Sequence, residues 1–561
     1  MNRCLATILA LALAAPLFAQ KKTNEPEQPK LVESIDVRVI NVDVVVTDKR
    51  GNFVPGLKKE DFEVLENGVP KTISNFYEVE GTRAKNVIAS EAGRQAPAPA
   101  PAQAAAEVPE QMKRRIIFYI DNLSLAPFNR NRVFMQMKEF LKTAMRPGDE
   151  AMVATYNRSM KVRVPFTKDA SQIESILDAI AGESGLGLAN TSERKTTETR
   201  IRDARSYDDA LATARTYASS VEHDLRQSVS SINALMSTLA GVEGKKILVL
   251  TSEGFPISPG REMFAYLDDA AKERGWMSMG SSTIEAMTYD GTQLIQSVAK
   301  AANANNITLY TVHAAGLQGG AEMSAENSRP TSALVTHAAL TNTTESMQMM
   351  AQMTGGLASV NTNNFAAAFE KINRDLDAYY SLGYRAGTER VDRQRYLTVR
   401  VKNKDYRVRN RQTFVEKSVY AEMSDRVIAN LLYRVKDNDL GILARIAPPV
   451  PEDEGLFRVK VDIQIPIENL TLLPQGETEY VGGFDVYVVV GNKDNDLSEV
   501  NRKSHQVRIP AADMKTIRGK FYTYSVELLV ERGLNRISLG VVDQISNTSG
   551  FSREQIIAQN Q

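Results

Sequence analysis

Three short, mostly apolar runs, each followed at once by a polar residue, limit the folds open to this chain. They are IIFYI before Asp121, ILVL before Thr251 and ITLYTV before His313. Between them lie segments in which apolar residues recur every three or four positions, as on one face of a helix. Strands that are apolar at nearly every position are typical of parallel sheets covered on both faces. The alternation predicts an α/β fold with a doubly wound, mainly parallel sheet.

Two helical patterns and one polar segment refine this prediction. The segment NRVFMQMKEFLKTAM sets apolar residues on one helical face, and a longer stripe runs from Tyr207 to Leu239. Residues 182–205 are polar, without a period, and rich in Thr, Arg and Glu. They predict an inserted loop, which is a candidate for contacting a partner.

The sequence pattern predicts β-modules on both sides of this region. Residues 31–80 alternate apolar and polar positions between turn signals, which predicts a small β-sandwich module. Residues 81–112 form an Ala/Pro linker of extended character. We assign residues 113–415 to the α/β domain and residues 420–455 to a helical connector. Regularly spaced strands over residues 456–550 predict a β-sandwich of immunoglobulin-like kind.

The first nineteen residues have the pattern of a secretory signal peptide. Arg3 supplies a positive charge, an apolar stretch follows, and cleavage is expected after Ala19. The one cysteine, Cys4, would leave with this segment, so the mature chain would have no disulfide. No later run is long enough for a membrane helix. These features predict an exported protein of the periplasm or the extracellular space.

Charge and motifs argue against nucleic-acid binding and against familiar catalysis. The chain has 68 basic and 68 acidic residues, with no basic stripe of the kind that binds phosphate backbones. It has no G-x-S-x-G elbow and no phosphate-binding loop, because the glycine-bearing segment GESGLGLAN lacks the lysine. The four histidines do not have metal-ligand spacing. These observations favour a non-enzymatic protein that binds another protein.

The order of these segments resembles the von Willebrand factor type A domain, specifically its bacterial VWFA-related group. The resemblance rests on the strand ending at Asp121, on the segments TGG and YYSLGY, and on the front module VVVTDKRGNFVPGLKKEDFEVLENGVPKTISNF. It covers roughly residues 31–415. It implies a doubly wound sheet that binds protein partners, often through a divalent cation held by hard oxygen ligands from three loops.

The resemblance also implies where that ion would lie, and the chain departs from the family pattern there. Asp121 matches the first aspartate of the family's Asp-x-Ser-x-Ser loop, but Leu123 and Leu125 stand at the two serine positions. Ser124 is one residue out of step. The later aspartate position holds Ser252, with Glu253 beside it. The threonine of the second loop would be one of Thr191, Thr196, Thr197 and Thr199.

We therefore predict a binding edge at the carboxyl ends of the strands. The predicted partner-binding residues are Asp121, Ser124, Ser252, Glu253 and His313. A rearranged magnesium or calcium site would use Asp121, Ser124 and Glu253. In the alternative interpretation, Asp121 or Ser124 caps the helix that begins near Asn129, Glu253 is solvated, and His313 is a satisfied, partly buried histidine. Two other functions stay open: a metal-assisted hydrolase using Asp121 and Glu253, and an envelope subunit that assembles through sandwich edges.

Overall fold

The fold comes from a computed structural model, whose described residues all lie in the compact unit Arg38–Gln561. They are residues 39–81, 83–86, 113–276, 282–317, 333–386, 391–434, 437–452, 455–494 and 496–559. The predicted signal peptide and nearly all of the predicted linker lie outside them. No helix among these residues is both long enough and apolar enough to span a membrane.

The first described segment is rich in strands, as its alternating pattern predicts. Buried and exposed positions alternate along the start of the first strand, from Val39 to Val44. The strands are β1 (Val39–Thr47), β2 (Phe62–Glu66), β3 (Val69–Lys71), β4 (Ile73–Glu80) and β5 (Arg83–Asn86).

A six-stranded sheet forms the centre of the molecule. Its order is β11-β10-β9-β6-β7-β8, with parallel pairing throughout except between β7 and the edge strand β8. Its strands are β6 (Arg114–Asp121), β7 (Glu150–Tyr156), β8 (Met160–Thr167), β9 (Lys245–Ser252), β10 (Ile307–His313) and β11 (Ala358–Ser359). The accompanying helices are α1 (Pro127–Ala144), α2 (Ala170–Ala181), α3 (Gly187–Arg202), α4 (Tyr207–Thr238), α5 (Arg261–Arg274), α6 (Ser282–Ala286), α7 (Thr292–Ala304), α8 (Ala333–Thr354) and α9 (Phe365–Asp377).

Helices pack on both faces of this sheet. Because successive side chains of a strand point to opposite faces, Ile116 and Phe118 enter one core with side chains of α1, α2 and α9. Ile117 and Tyr119 enter a second core with side chains of α4, α7 and α8. This arrangement explains why β6 is buried at every position. The predicted α/β architecture with a mainly parallel sheet is present.

The segment predicted as an inserted loop contains a helix instead. Helix α3 spans Gly187–Arg202, and of its residues only Gly187, Thr197 and Ile201 are buried. Ile201 packs in a small core with residues of α4 and α5. With so few buried positions, the helix has no apolar stripe that sequence analysis can detect. Tertiary packing stabilises it, so the prediction of a loop over residues 182–205 was wrong.

Of the four strands after α9, three pair with the first strands of the chain, and the fourth joins the same sheets by pairing with one of those three. The two antiparallel sheets have the orders β14-β1-β12-β4-β5 and β15-β13-β2-β3, and side chains of both enter one core. The predicted boundary at residue 80 thus separates strands that hydrogen bonds join, since an alternating pattern marks a strand without naming its partner. The four strands are β12 (Ala378–Arg385), β13 (Gln394–Val401), β14 (Arg407–Arg409) and β15 (Thr413–Val415).

The remaining chain forms helix α10 (Val419–Tyr433) and two further antiparallel sheets around one apolar core. The predicted connector at 420–455 is helical only in its first part, because Leu443–Ile446 and Val450–Pro451 are strands paired with β18. The last strand runs to Ala558, beyond the predicted end at residue 550. The strands are β16 (Leu443–Ile446), β17 (Val450–Pro451), β18 (Phe457–Pro466), β19 (Leu473–Gln475), β20 (Glu479–Gly491), β21 (Asn501–Pro510), β22 (Phe521–Val530), β23 (Gly533–Asp543) and β24 (Ser549–Ala558).

Candidate functional site

The five residues predicted to form the binding edge come from three neighbouring strands. Asp121 ends β6, Ser252 ends β9 and His313 ends β10, and these strands are adjacent and parallel. His313 is the register partner of Ser252. Because parallel strands end at the same edge, the three residues lie close together, with Ser124 and Glu253 in the loops that follow.

Asp121, Ser124 and Ser252 form a closed cluster of hydrogen bonds. The hydroxyl groups of Ser124 and Ser252 lie 2.7 and 2.8 Å from Oδ2 of Asp121 and donate to it. The two hydroxyl oxygens are 3.0 Å apart. Asp121 is only 2% exposed, and its Oδ1 atom has no partner among the described residues. Burial raises the pKa of the Asp121 carboxyl, against the hydrogen bonds from the two serines.

The two leucines beside Ser124 serve the cores of the domain. Leu123 packs in the core that contains Tyr119, and Leu125 packs in the core that contains Phe118. Both are buried on opposite faces of the sheet. These positions therefore hold apolar anchors of the loop, and their side chains offer no oxygen to an ion.

Glu253 links the loop after β9 to the first turn of α1. Its Oε1 atom accepts hydrogen bonds from the Ala126 amide at 2.8 Å and from the Asn129 side chain at 3.0 Å. Helix α1 begins at Pro127, with Ala126 at the N-cap and no capping bond from that side chain. A carboxylate at a helix N-terminus satisfies a free amide and the helix dipole. The alternative interpretation predicted that Asp121 or Ser124 caps this helix and that Glu253 is solvated. In the structure, Glu253 itself bonds to the start of the helix.

Burial shifts the pKa values of Glu253 and His313 in opposite directions, because it disfavours the charged form of each group. It raises the pKa of the Glu253 carboxyl, which the bonds from Asn129 and Ala126 oppose and the nearby Asp121 reinforces. Burial lowers the pKa of His313, although a hydrogen bond with the Glu253 backbone acts the other way. His313 is 1% exposed, and its Nδ1 atom has no hydrogen-bond partner in the described part of the chain. The histidine is therefore buried and only partly satisfied.

The start of α3 lies directly against the loop that follows Asp121. The Leu186 amide donates to the Asn122 carbonyl at 3.2 Å, and the Asn190 side chain donates to the Leu123 carbonyl at 2.9 Å. A Cβ atom at Gly187 would lie 2.4 Å from the Ser124 carbonyl oxygen. The glycines of GESGLGLAN thus allow two backbones to approach closely. The four candidate threonines, Thr191, Thr196, Thr197 and Thr199, donate to carbonyls one turn back in α3.

Sequence analysis missed an arginine that stabilises this edge. Arg130 is fully buried in α1 and donates to the side chain of Asn122 and to the carbonyls of Ala181 and Glu183. It thereby ties α1 to the loops on both sides. A signal was available, because Arg130 lies three and four residues before the buried Val133 and Phe134, on the apolar face of the helix.

Three exposed apolar side chains lie on the segments that leave this edge of the sheet, and sequence analysis missed them as well. Phe128 is 74% exposed at the start of α1, Leu188 is 60% exposed at the start of α3, and Leu317 is 60% exposed after β10. Arg132 lies over the Phe128 ring at 5.3 Å and donates to the Ala314 carbonyl, which connects the first and third of these segments. Exposed apolar side chains gathered at one edge are typical of interaction surfaces.

The donor atoms at this edge do not fit a divalent cation well. The described residues contain no group of three or more histidine, cysteine, aspartate or glutamate side chains that could hold a metal. Oδ2 of Asp121 already accepts two hydroxyls, and Oε1 of Glu253 accepts two N–H groups. Magnesium needs near-octahedral oxygen ligands, and these two oxygens already accept hydrogen bonds, while Oδ1 of Asp121 is a carboxylate oxygen here that has no partner among the described residues.

We expect this edge to be independent of divalent cations. Titration calorimetry with magnesium, manganese and calcium should show no binding heat, and the melting temperature should not change. Asp121→Asn is the matched control, because it removes the carboxylate from which any ion site here would be built. A cation that raises the melting temperature of the wild type but not of Asp121→Asn would contradict this expectation and support the predicted metal site of Asp121, Ser124 and Glu253.

Comparisons with known proteins identify no family for this chain. No family model matches it, and no curated protein matches its sequence. Among solved structures it is similar to the von Willebrand factor domain of the type V pilus tip protein Mfa5 from Porphyromonas gingivalis, at 13% identity over 47% of this chain and 95% of that one, with a TM-score of 0.25.

Two other solved structures are similar at the same level. An aerotolerance-related membrane protein from Bacteroides fragilis matches at 12% identity over 47% of this chain and 98% of that one, with a TM-score of 0.24. The manganese-loaded TRAP protein of Plasmodium vivax matches at 10% identity over 54% and 93%, with a TM-score of 0.24. None of these likenesses is close enough to carry an argument about this chain.

Proposed function

We propose that this chain is an exported, non-enzymatic protein that binds another protein, in adhesion or assembly, through the loops at the carboxyl edge of its central sheet. The observation that carries the proposal is the exposure of Phe128, Leu188 and Leu317 on the segments that follow the carboxyl edge of the sheet. The signal-like first nineteen residues support export. The partner is a protein, and no feature of the chain favours nucleic acid.

Three of the five residues predicted to bind the partner are too buried to contact it directly. Asp121, Ser252 and His313 are at most 2% exposed, so their side chains are not available to a partner that docks on this edge. Ser124 and Glu253 are partly exposed. We assign the contact to the exposed apolar side chains and these two polar residues, while the buried three hold the loops in position.

The hydrogen bonds of the two carboxylates at this edge favour protein binding over catalysis. The Asp121 and Glu253 carboxyls are bonded to groups of the protein itself, which fixes the loops that carry them. A preorganised loop loses little conformational entropy when a partner binds. Large apolar side chains at the centre of such a surface supply most of the binding free energy of protein interfaces.

Replacing two of the exposed apolar residues should strongly weaken partner binding without unfolding the protein. The test compares Phe128→Asp/Leu188→Asp with Ile284→Asp/Met287→Asp, which changes two other exposed apolar side chains (68% and 73%). Loss of two central apolar contacts should weaken binding by about 2–4 kcal/mol, which is about 30-fold or more. The readout is the set of envelope proteins captured by each immobilised variant, with circular dichroism as the folding control.

The proposal fails if the site variant captures the same proteins as the wild type, or if both double variants lose them equally. The first result would place the partner elsewhere on the chain. The second would show that capture depends on general surface hydrophobicity.

A further inference from the structure

Strand β22 has one paired side and one free side. It pairs with β18 over its full length, Phe521–Val530, and no other strand among the described residues pairs with it. The carbonyls of Leu456, just before β18, and of Lys460, within it, accept amides from the β17 and β16 side. The backbone N–H and C=O groups of even-numbered residues therefore point to that side. Odd-numbered residues of β18 therefore face β22, where their register partners are even-numbered. The backbone N–H and C=O groups of residues 521, 523, 525, 527 and 529 point outward.

This free edge lacks the features that usually prevent strand pairing. The sequence FYTYSVELLV has no proline, no glycine and one charge, Glu527. Phe521 is 45% exposed and Leu529 is 58% exposed. The edge strand β21, in contrast, carries Arg502, Lys503 and Arg508 and ends in a proline. Long, apolar, uncharged edges pair readily with another strand.

The strand is complementary to itself in one antiparallel register. When Ser525 lies opposite Ser525 of a second copy, Phe521 meets Leu529 and Thr523 meets Glu527, twice each. Tyr522 then meets Leu528, and Tyr524 meets Val526. Aromatic–aliphatic pairs and hydroxyl pairs of this kind stabilise neighbouring strands, and no like charges face each other. A register centred on Glu527 would set two carboxylates opposite each other, which is unfavourable.

We propose that β22 is a homodimer interface, at which a second copy of this chain adds its own β22 antiparallel to the first, centred on Ser525. The two sheets then form one continuous sheet across a twofold axis. Each outward backbone group in the shared stretch gains a partner, and the pairing closes because the same edge is used on both copies. The inference is independent of the function proposed for the carboxyl edge of the central sheet.

Engineered cysteines test both the pairing and its register. In a Cys4→Ser background, which has no other cysteine, Ser525→Cys sets two thiols on Cα atoms about 5.5 Å apart, within the range of a disulfide. Thr523→Cys is the matched control on the same strand, because its equivalent in the second copy lies about 13 Å further along. Under mild oxidation, the full chain carrying Ser525→Cys should form a disulfide-linked dimer on a non-reducing gel, and Thr523→Cys should not.

Sedimentation velocity over about 1–100 μM provides the second readout. The wild type should show the mass of a dimer, and Ser525→Lys should be monomeric because two ammonium groups would face each other. Ser504→Lys, on the exposed face of β21, should remain a dimer. A wild type that stays monomeric throughout, or cysteine variants that cross-link to equal extents, would overturn the proposal.

Discussion

Arg395→Met should destabilise the protein more than any other single change considered, by about 3–5 kcal/mol in the free energy of unfolding. Arg395 is 3% exposed in β13, and its guanidinium contacts Glu66 of β2 and Glu416, both at 2.9 Å. Removing the arginine leaves two buried carboxylates without their principal cationic partner, and Lys71 then remains beside Glu66 at 3.8 Å. Buried ions without a partner are among the most costly defects in a folded protein.

Arg400→Met is the matched control for this prediction. Arg400 lies on the same strand and pairs with Glu63 of the same neighbouring strand at 3.8 Å, but both side chains are more than half exposed. Its replacement should change stability by about 0.5 kcal/mol or less. Urea denaturation followed by circular dichroism gives the comparison. Equal midpoints for the two variants would show that the buried cluster does not hold β13 to β2.

A partial rescue separates lost charge from lost packing. Adding Glu66→Gln to Arg395→Met removes one of the stranded carboxylates, so it should recover part of the lost stability. Arg395 also lies over the Phe414 ring, at 5.9 Å, and the methionine retains some of that apolar contact. If Glu66→Gln recovers nothing, packing around Phe414 is the main contribution of Arg395.

Gly187→Ala should be the second most damaging change and the one that most affects the candidate site. The added Cβ would lie 2.4–2.6 Å from backbone atoms of Ser124, Leu125 and Ala126. A hydrogen bond from the Leu186 amide to the Asn122 carbonyl, at 3.2 Å, ties these two backbone segments together and opposes their separation. Overpacking of this kind costs about 1–3 kcal/mol, and we expect the upper end of that range because the contact is with backbone.

Gly182→Ala is the corresponding control at the C-terminus of α2. There the added Cβ would meet the Ala179 carbonyl oxygen at 3.5 Å, an ordinary contact, and φ is −80°. This substitution should leave stability unchanged or raise it slightly, by reducing the freedom of the unfolded chain. Urea midpoints test stability, and amide exchange of residues 122–126 tests the loop itself. Unchanged exchange in Gly187→Ala would show that α3 does not hold this loop.

Local pattern predicted the central sheet well, because its strands and helices are set by short-range periodicity. The apolar runs before Asp121, Thr251 and His313 became three adjacent parallel strands, and the stripe from Tyr207 became α4. Helix α3 was missed because its stability comes from contacts of Ile201 and its first turn with other elements. Those contacts join residues far apart in the chain, and no local period records them.

The candidate site, too, was predicted where local pattern sufficed and missed where contacts between distant residues decide. Strand ends and loop residue types placed Asp121, Ser252 and His313 at one edge, which the sheet order brings together. The sequence did not reveal that Glu253 would reach the Ala126 amide, or that Leu123 and Leu125 would enter opposite cores. Each of these depends on side-chain directions and on distances of a few ångströms between loops, which are set only when the strands have paired.

By itself, the sequence determined the alternation of strands and helices, the polar ends of the central strands and the β-rich flanks, because periodicity and turn residues act over a few neighbours. Only the tertiary structure decided that strands 39–80 and 378–415 share sheets, that the polar centre is buried and hydrogen-bonded within itself, and that β22 has a free edge. Pairing between distant strands is selected by the packing of whole faces, and short segments of sequence do not encode it.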